Sequence, residues 1–312
     1  MSRIAFIFPG QASQYVGMGQ EISRTPIGEK MFFQADEMLG FPLSSLCFEG
    51  PEEELIQTFN TQPAIVTVSS IVSRLLAEKG IKPEMVAGHS LGEYSALVAA
   101  GSLSFLDAVR LVRIRGQLMN DATKSVGGGM AAIIGLEPGA VEEICREASS
   151  AGIVQAANYN SPVQTAISGD QAGLEKAIEI AKERGAKRAL MLPVSAPFHS
   201  SLMDPVAEKF QPELEAAEMN DAQLPVIANV TAEPETDAAD IRRNLISQVN
   251  GPVRWSDTIL YMISQGIDTF IEVGPGKVLT GLLKKTDRSV TCVPVETLES
   301  IDGLIEKLGN RE

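Results

Sequence analysis

Two histidines and three cysteines are all that 312 residues offer for metal ligation or thiol chemistry. Cys47, Cys145 and Cys292 are odd in number, widely spaced and form no C-x-x-C. Neither a disulfide framework nor a zinc site is expected, and the three read as reduced, buried thiols of a cytoplasmic protein. Long apolar runs are also missing: no stretch approaches the ~18 residues of a membrane span. The opening MSRIAFIFPG holds five consecutive apolar residues before a proline–glycine turn, so no secretory signal is expected. Aromatic residues make up only 5% of the chain, too few for a binder that works by stacking on bases. Basic residues are outnumbered 26 to 40, and a net charge of −14 repels phosphate backbones and anionic membranes. An acidic protein partner would have to be met by a local basic patch.

What is present is a chain with 44% hydrophobic residues, enough for one large α/β domain or one such domain with an insertion. No internal repeat or low-complexity segment interrupts it. Its most informative stretch is MVAGHSLGEYSALVAAG, residues 85–101. Gly88-His89-Ser90-Leu91-Gly92 fits G-x-S-x-G, the form of a nucleophile elbow, where a serine sits on a strained turn between a strand and a helix. The bland alternative is a helix-cap serine. The context favours the elbow, with a buried apolar strand (EMVAGHS) before it and helical sequence (91–101) after it.

Periodicity supplies the rest of the organisation. Arg3–Phe8 is a continuous apolar strand, expected to be buried on both faces. A glycine-rich turn over 9–19 follows, and helices are expected over Thr61–Glu78 and Ser104–Asp121. The alternation of strand and helix indicates an α/β protein with a parallel sheet. The middle changes character: strand 127–136, helix 137–152, strands 153–160 and 163–170, helix 171–186 and strand 187–194. This β-α-β-β-α-β order is that of a ferredoxin-like unit, read as a small domain inserted over residues 126–197. The chain then returns to the first domain, with further strands at PVIANV (225–230) and TFIEVG (269–274).

A serine needs a base, because its free hydroxyl is a poor nucleophile at neutral pH. His89 adjoins Ser90 and would point away from it, which leaves His199, in VSAPFHSSLMD at the seam where the inserted domain rejoins the core. VGPGKVLTG (273–281) lacks the spacing of a phosphate loop and reads as a turn and helix start near the cleft. The triple glycine at 127–129 reads as a hinge. Arg113 and Arg115 stand two apart on a helix, so one can line a pocket while the other is solvated; an inward guanidinium would suit a carboxylate.

Taken in order, FPGQ, GHSLGEYSAL, the RG of RIRGQLM, PFHS and EVGPGKVLTGL resemble the malonyl-transferring acyltransferase family of fatty-acid and polyketide synthesis. The resemblance spans nearly the whole chain. It implies an α/β-hydrolase-like catalytic domain (1–125 and 198–312) carrying the ferredoxin-like insert. It further implies transfer of malonyl from malonyl-CoA to the phosphopantetheine thiol of acyl carrier protein, in the cytoplasm and for fatty-acid biosynthesis, without metal or redox cofactor. By position, Ser90 is the acylated serine and His199 its base, oriented by the backbone carbonyl of Gln248. Gln11 and the N–H of Leu91 form the oxyanion hole, and Arg115 holds the malonyl carboxylate. The family often has glycine where Ala12 stands, which bears on the loop around Gln11. An acidic carrier protein would dock on Lys277, Lys284, Lys285 and Arg288, unless these are simply a solvated helix face; a monomer is expected. The rival reading is a serine esterase or thioesterase with Asp170 or Glu175 as third member, although an HGGG-type loop is missing. A non-catalytic binding subunit would be expected to lose Ser90 or His199, and both are present.

Overall fold

The apolar run at the N-terminus becomes strand β1 (Ile4–Phe8) in the computed structural model, which describes residues 2–194 and 196–309. Met1, Ser195 within VSAPFHS, and residues 310–312 fall in the ranges expected for the two domains and lie outside the described residues. Helices α1 (Pro26–Leu39), α2 (Leu43–Glu49), α3 (Glu52–Leu55) and α4 (Thr58–Glu78) lead to β2 (Met85–Gly88). That strand stops at the elbow and passes into α5 (Gly92–Ala99) and α6 (Phe105–Val126). Next come β3 (Gly129–Ile134), α7 (Pro138–Ala148), β4 (Val154–Ser161), β5 (Gln164–Gly169), α8 (Gln171–Glu183) and β6 (Arg188–Met191). The chain continues through α9 (Asp204–Ala216), β7 (Val226–Ile227), β8 (Pro234–Glu235), α10 (Ala238–Gln248) and α11 (Trp255–Ser264). It closes with β9 (Thr269–Val273), α12 (Val278–Thr286), β10 (Thr291–Val295) and α13 (Leu298–Gly309).

The strands form two sheets, as an α/β protein with a mixed, mainly parallel sheet and a smaller antiparallel one. The larger has the order β10-β9-β1-β2-β7-β8, parallel except for the β7–β8 hairpin. The smaller has the order β4-β5-β3-β6, antiparallel throughout. Side-chain alternation explains why β1 is apolar at every position. Phe6 and Phe8 enter one core with Val86, Ile271 and the α4 and α6 side chains. Ala5 and Ile7 enter the core on the opposite face with Ala87, Phe270 and Trp255. Both faces are covered, so no polar residue is tolerated at either parity. The small sheet has its own core of Ile133, Ile144, Ile167 and Ala177.

Several boundaries differ from the sequence reading. PVIANV pairs only at Val226 and Ile227, because Asn229 leaves the sheet to bond the elbow and Ala232, at φ +58°, turns the chain back into β8. β10 is not anticipated; its Pro294 is tolerable because the strand lies at a sheet edge. The helix expected over Ser104–Asp121 runs on to Val126, where Gly127 and Gly128 take φ values of +68° and +97° before β3 begins. Glycine is required at the second of these, since a Cβ on Gly128 would lie 2.3 Å from the Gly169 carbonyl. Cys47 and Cys145 are buried, but Cys292 is only half-buried, against Thr280; all three are free. No helix among the described residues is long and apolar enough to cross a membrane.

Candidate active site

The elbow is built by glycine. A Cβ on Gly88 would fall 1.9 Å from the backbone of Gly92, and a Cβ on Gly92 would fall 2.2 Å from the Phe8 carbonyl. Only glycines let β2, the turn and the first turn of α5 approach this closely. Between them Ser90 sits at φ +52°, the strained left-handed conformation expected of an elbow serine. The turn is braced from outside: Asn229 accepts the Ser90 N–H through Oδ1 at 2.7 Å and donates to the Gly88 carbonyl at 2.6 Å.

Ser90 Oγ lies 2.7 Å from His199 Nε2. On the other side of the ring, Nδ1 faces two carbonyl oxygens, Gln248 at 2.9 Å and Gly251 at 3.1 Å. Carbonyls only accept, so Nδ1 carries the proton and Nε2 is left as the acceptor for the serine hydroxyl. Burial, then the nearby Arg115 charge, lower the His199 pKa to about 3. The imidazole is therefore neutral at neutral pH. Asp170 and Glu175 are not partners of this ring. Asp170 accepts from the Gly173 and Ile153 backbones at the start of α8, and Glu175 bonds Gln171.

Arg115 and Arg113 separate as their spacing requires, though Arg113 is not solvated. It stacks over the Phe41 and Phe59 rings and donates to the Phe59 carbonyl and Asn60. Arg115 is only 2% exposed. It donates to Gln62 Oε1 at 2.8 Å, Gln248 Oε1 at 3.0 Å and Ser90 Oγ at 3.2 Å, while its Nε has no partner among the described residues. These acceptors are neutral, so the site presents a buried cation beside the serine with no carboxylate among the described residues in direct contact. His89 turns away, with Nε2 2.8 Å from Asn160 Oδ1 and its ring against Trp255.

A cleft of about 500 Å³ opens over these groups, lined by Gln11, Ser90, Leu91, Arg115 and His199 on one side and by Met130, Asn160 and Leu192 on the other. The backbone N–H groups of Gln11 and Leu91 have no partner among the described residues. The Gln11 side chain is held away by Thr58, which donates to its Oε1 at 2.9 Å. Ala12 takes φ +82°, a left-handed conformation that glycine adopts without strain; its N–H is held by Gln14 at 2.8 Å. On the far wall, α12 lines the cleft with Val278, Leu279 and Leu282. Its start is capped by the buried Glu272, which accepts from the N–H groups of Leu279 and Thr280, so these donors are not free to cradle a phosphate. Lys277, Lys284, Lys285 and Arg288 are all exposed on or beside this helix, and Lys285 reaches Gln164 at the cleft rim at 2.9 Å.

Sequence reasoning missed three residues. Gln62 and Asn229 hold Arg115 and Ser90, and Glu93 stands fully buried in the first turn of α5. An amide ending the apolar strand PVIANV and a carboxylate directly after the elbow were the available signals.

The acyl transferase domain family matches residues 5–304 of this chain. The chain is 51% identical over 310 residues to the malonyl CoA-acyl carrier protein transacylase of Bacillus subtilis (strain 168), covering 99% of this chain and 98% of that protein. Its fold is similar to that of the malonyl CoA-acyl carrier protein transacylase from Coxiella burnetii, with a TM-score of 0.96, 43% identity and 98% of each chain covered. A solved malonyl-transacylase in complex with its type II PKS acyl-carrier protein aligns with a TM-score of 0.95 and 42% identity, over 98% of this chain and 100% of that one.

Proposed function

The chain belongs to the acyl transferase family, and on that premise we propose that it transfers malonyl from malonyl-CoA to the phosphopantetheine thiol of acyl carrier protein through a malonyl ester on Ser90. The observation that carries this reading is the buried Arg115, 3.2 Å from the oxygen of a serine that is itself 2.7 Å from a neutral histidine. A malonyl group differs from acetyl by one carboxylate, and burying that charge unpaired would cost several kcal/mol. A guanidinium whose hydrogen-bond partners among the described residues are all neutral is the counter-charge such an acyl group needs, and a simple esterase has no use for it.

In the reaction, His199 Nε2 takes the Ser90 proton as Oγ attacks the thioester carbonyl. The Gln248 and Gly251 carbonyls hold the ring and favour the imidazolium that forms. The oxyanion is received by the Gln11 and Leu91 N–H groups, each contributing about 3 kcal/mol by analogy with other oxyanion holes. The coenzyme A thiolate leaves with the proton from His199, giving the malonyl ester. The carrier protein thiol then loses its proton to His199 and attacks the ester, and Ser90 recovers its own. No step calls on a metal or redox cofactor. The larger sheet with its helices is taken as an α/β-hydrolase-like domain (1–125 and 198–312), and the small sheet as a ferredoxin-like insert (126–197). The carrier protein is taken to dock over Lys277, Lys284, Lys285 and Arg288, in the cytoplasm and in the service of fatty-acid synthesis.

The test is kcat/KM for acylation by malonyl-CoA and by acetyl-CoA. Arg115→Ala should lower the malonyl value by orders of magnitude, a loss of roughly 2–5 kcal/mol as for other broken buried charge contacts, while acetyl transfer holds or improves. An unchanged malonyl-to-acetyl ratio would remove Arg115 from acyl recognition.

A further inference from the structure

Glu93 takes no part in the steps above, yet it is fully buried directly behind them. Its Oε2 accepts from Gln248 Nε2 at 2.6 Å and its Oε1 from the Asn229 backbone N–H at 3.3 Å. Gln248 is the residue that separates this acid from Arg115. Its Nε2 also donates to the Ser90 carbonyl at 2.8 Å, while its Oε1 accepts from Arg115 Nη2 at 3.0 Å.

A primary amide fits its site equally well in either of two orientations, and only its hydrogen-bond partners choose between them. In the observed orientation two oxygens face Nε2 and a guanidinium faces Oε1. Turned over, the amide would set its oxygen against the Glu93 and Ser90 oxygens and its NH2 against Arg115. Glu93 and the Ser90 carbonyl together make the first orientation the only satisfied one. The same arrangement keeps the acid one side chain away from the guanidinium. Arg115 is held in place by neutral oxygens and its charge is not already taken by a buried carboxylate.

We propose that Glu93 is a positioning residue for acyl-group choice, orienting the Gln248 amide so that Arg115 is held with its charge available to the carboxylate of the incoming acyl group. The proposal rests on the reading of Arg115 given above.

Glu93→Gln is the test, because it keeps the volume but offers one acceptor oxygen where two are used. The new amide can serve Gln248 or Asn229, not both, and turns an NH2 toward the other donor. The expected result is a fall of at least tenfold in the malonyl-to-acetyl ratio of kcat/KM for Ser90 acylation, carried by the malonyl value, with the thermal midpoint little changed. In an Arg115→Ala background Glu93→Gln should leave the ratio where that substitution put it. Equal losses with both esters, or no change in the ratio, would overturn the proposal and leave Glu93 as a structural residue. Should Glu93→Gln not fold, Gln248→Leu replaces it: the ratio must again fall at least tenfold, and an unchanged ratio overturns the proposal. If Arg115→Ala alone leaves the ratio intact, the reading of Arg115 fails and this proposal with it. A ratio sensitive to Arg115 and insensitive to Glu93 overturns the proposal alone.

Discussion

His199 shows how one residue's surroundings set its chemistry. Like Ser90 it has positive φ, at +58°, and like Ser90 it is held there by neighbours on both sides. Its pKa is lowered to about 3, first by burial and second by the Arg115 charge, so the folded protein keeps it neutral far below the ordinary histidine value of 6.5. A general base works only when unprotonated, so the lowered value extends activity toward acid. The rate of Ser90 acylation by malonyl-CoA, followed from pH 8 downward, should show no acid limb near 6.5; a limb there would mean that the base titrates as an ordinary solvated imidazole. His199→Ala should slow acylation by about 10²–10⁴-fold, the usual worth of a positioned acid–base group, while the fold persists. Acylation within tenfold of the unmodified protein would contradict the dyad.

At the scale of elements, the site depends on how closely backbones approach, and glycine decides this at two contrasting places. On α6, a Cβ at Gly116 would stand 2.5 Å from the Phe59 Cα on α4, the helix that carries Gln62. Gly116→Ala must push these helices apart and should cost about 1–3 kcal/mol in urea unfolding, as overpacking does elsewhere. On α12, a Cβ at Gly281 would meet nothing within 4 Å. Gly281→Ala should therefore stabilise by about 0.5–1 kcal/mol through helix propensity alone. Equal effects of the two substitutions would contradict the packing described here. The same contrast explains what could be read from sequence. The elbow, the β-α-β-β-α-β order and the helix read over 171–186, observed as Gln171–Glu183, were legible because each is written in local periodicity and turn residues. Glu93, Asn229 and Gln62 were not, because a buried polar side chain is explained only by its partner. For Glu93 that partner is Gln248, 155 positions away along the chain. β10 and β8 were not read, since Pro294 breaks the strand pattern of the first and the second is only two residues long.

For the molecule as a whole, the question is how a protein of net charge −14 receives an acidic carrier protein. The proposed answer is local: four exposed cations ride on or beside α12, whose opposite face lines the cleft with Leu279 and Leu282. Reversing Lys284 and Lys285 to glutamate should raise KM for carrier protein roughly tenfold at low salt, with KM for malonyl-CoA nearly unchanged, and added salt should shrink the difference. Equal effects on both substrates would remove these lysines from the docking face. Beneath that question lies the claim that everything else presupposes: Ser90 carries the acyl group between two thiols. Intact-mass and peptide analysis after mixing with malonyl-CoA, before and after adding phosphopantetheinylated carrier protein, tests it directly. One malonyl adduct is expected on the peptide containing Ser90, absent in Ser90→Ala, with quantitative passage to the carrier protein. An adduct on a cysteine, or loss of the Ser90 adduct to water with no gain on the carrier protein, would contradict it.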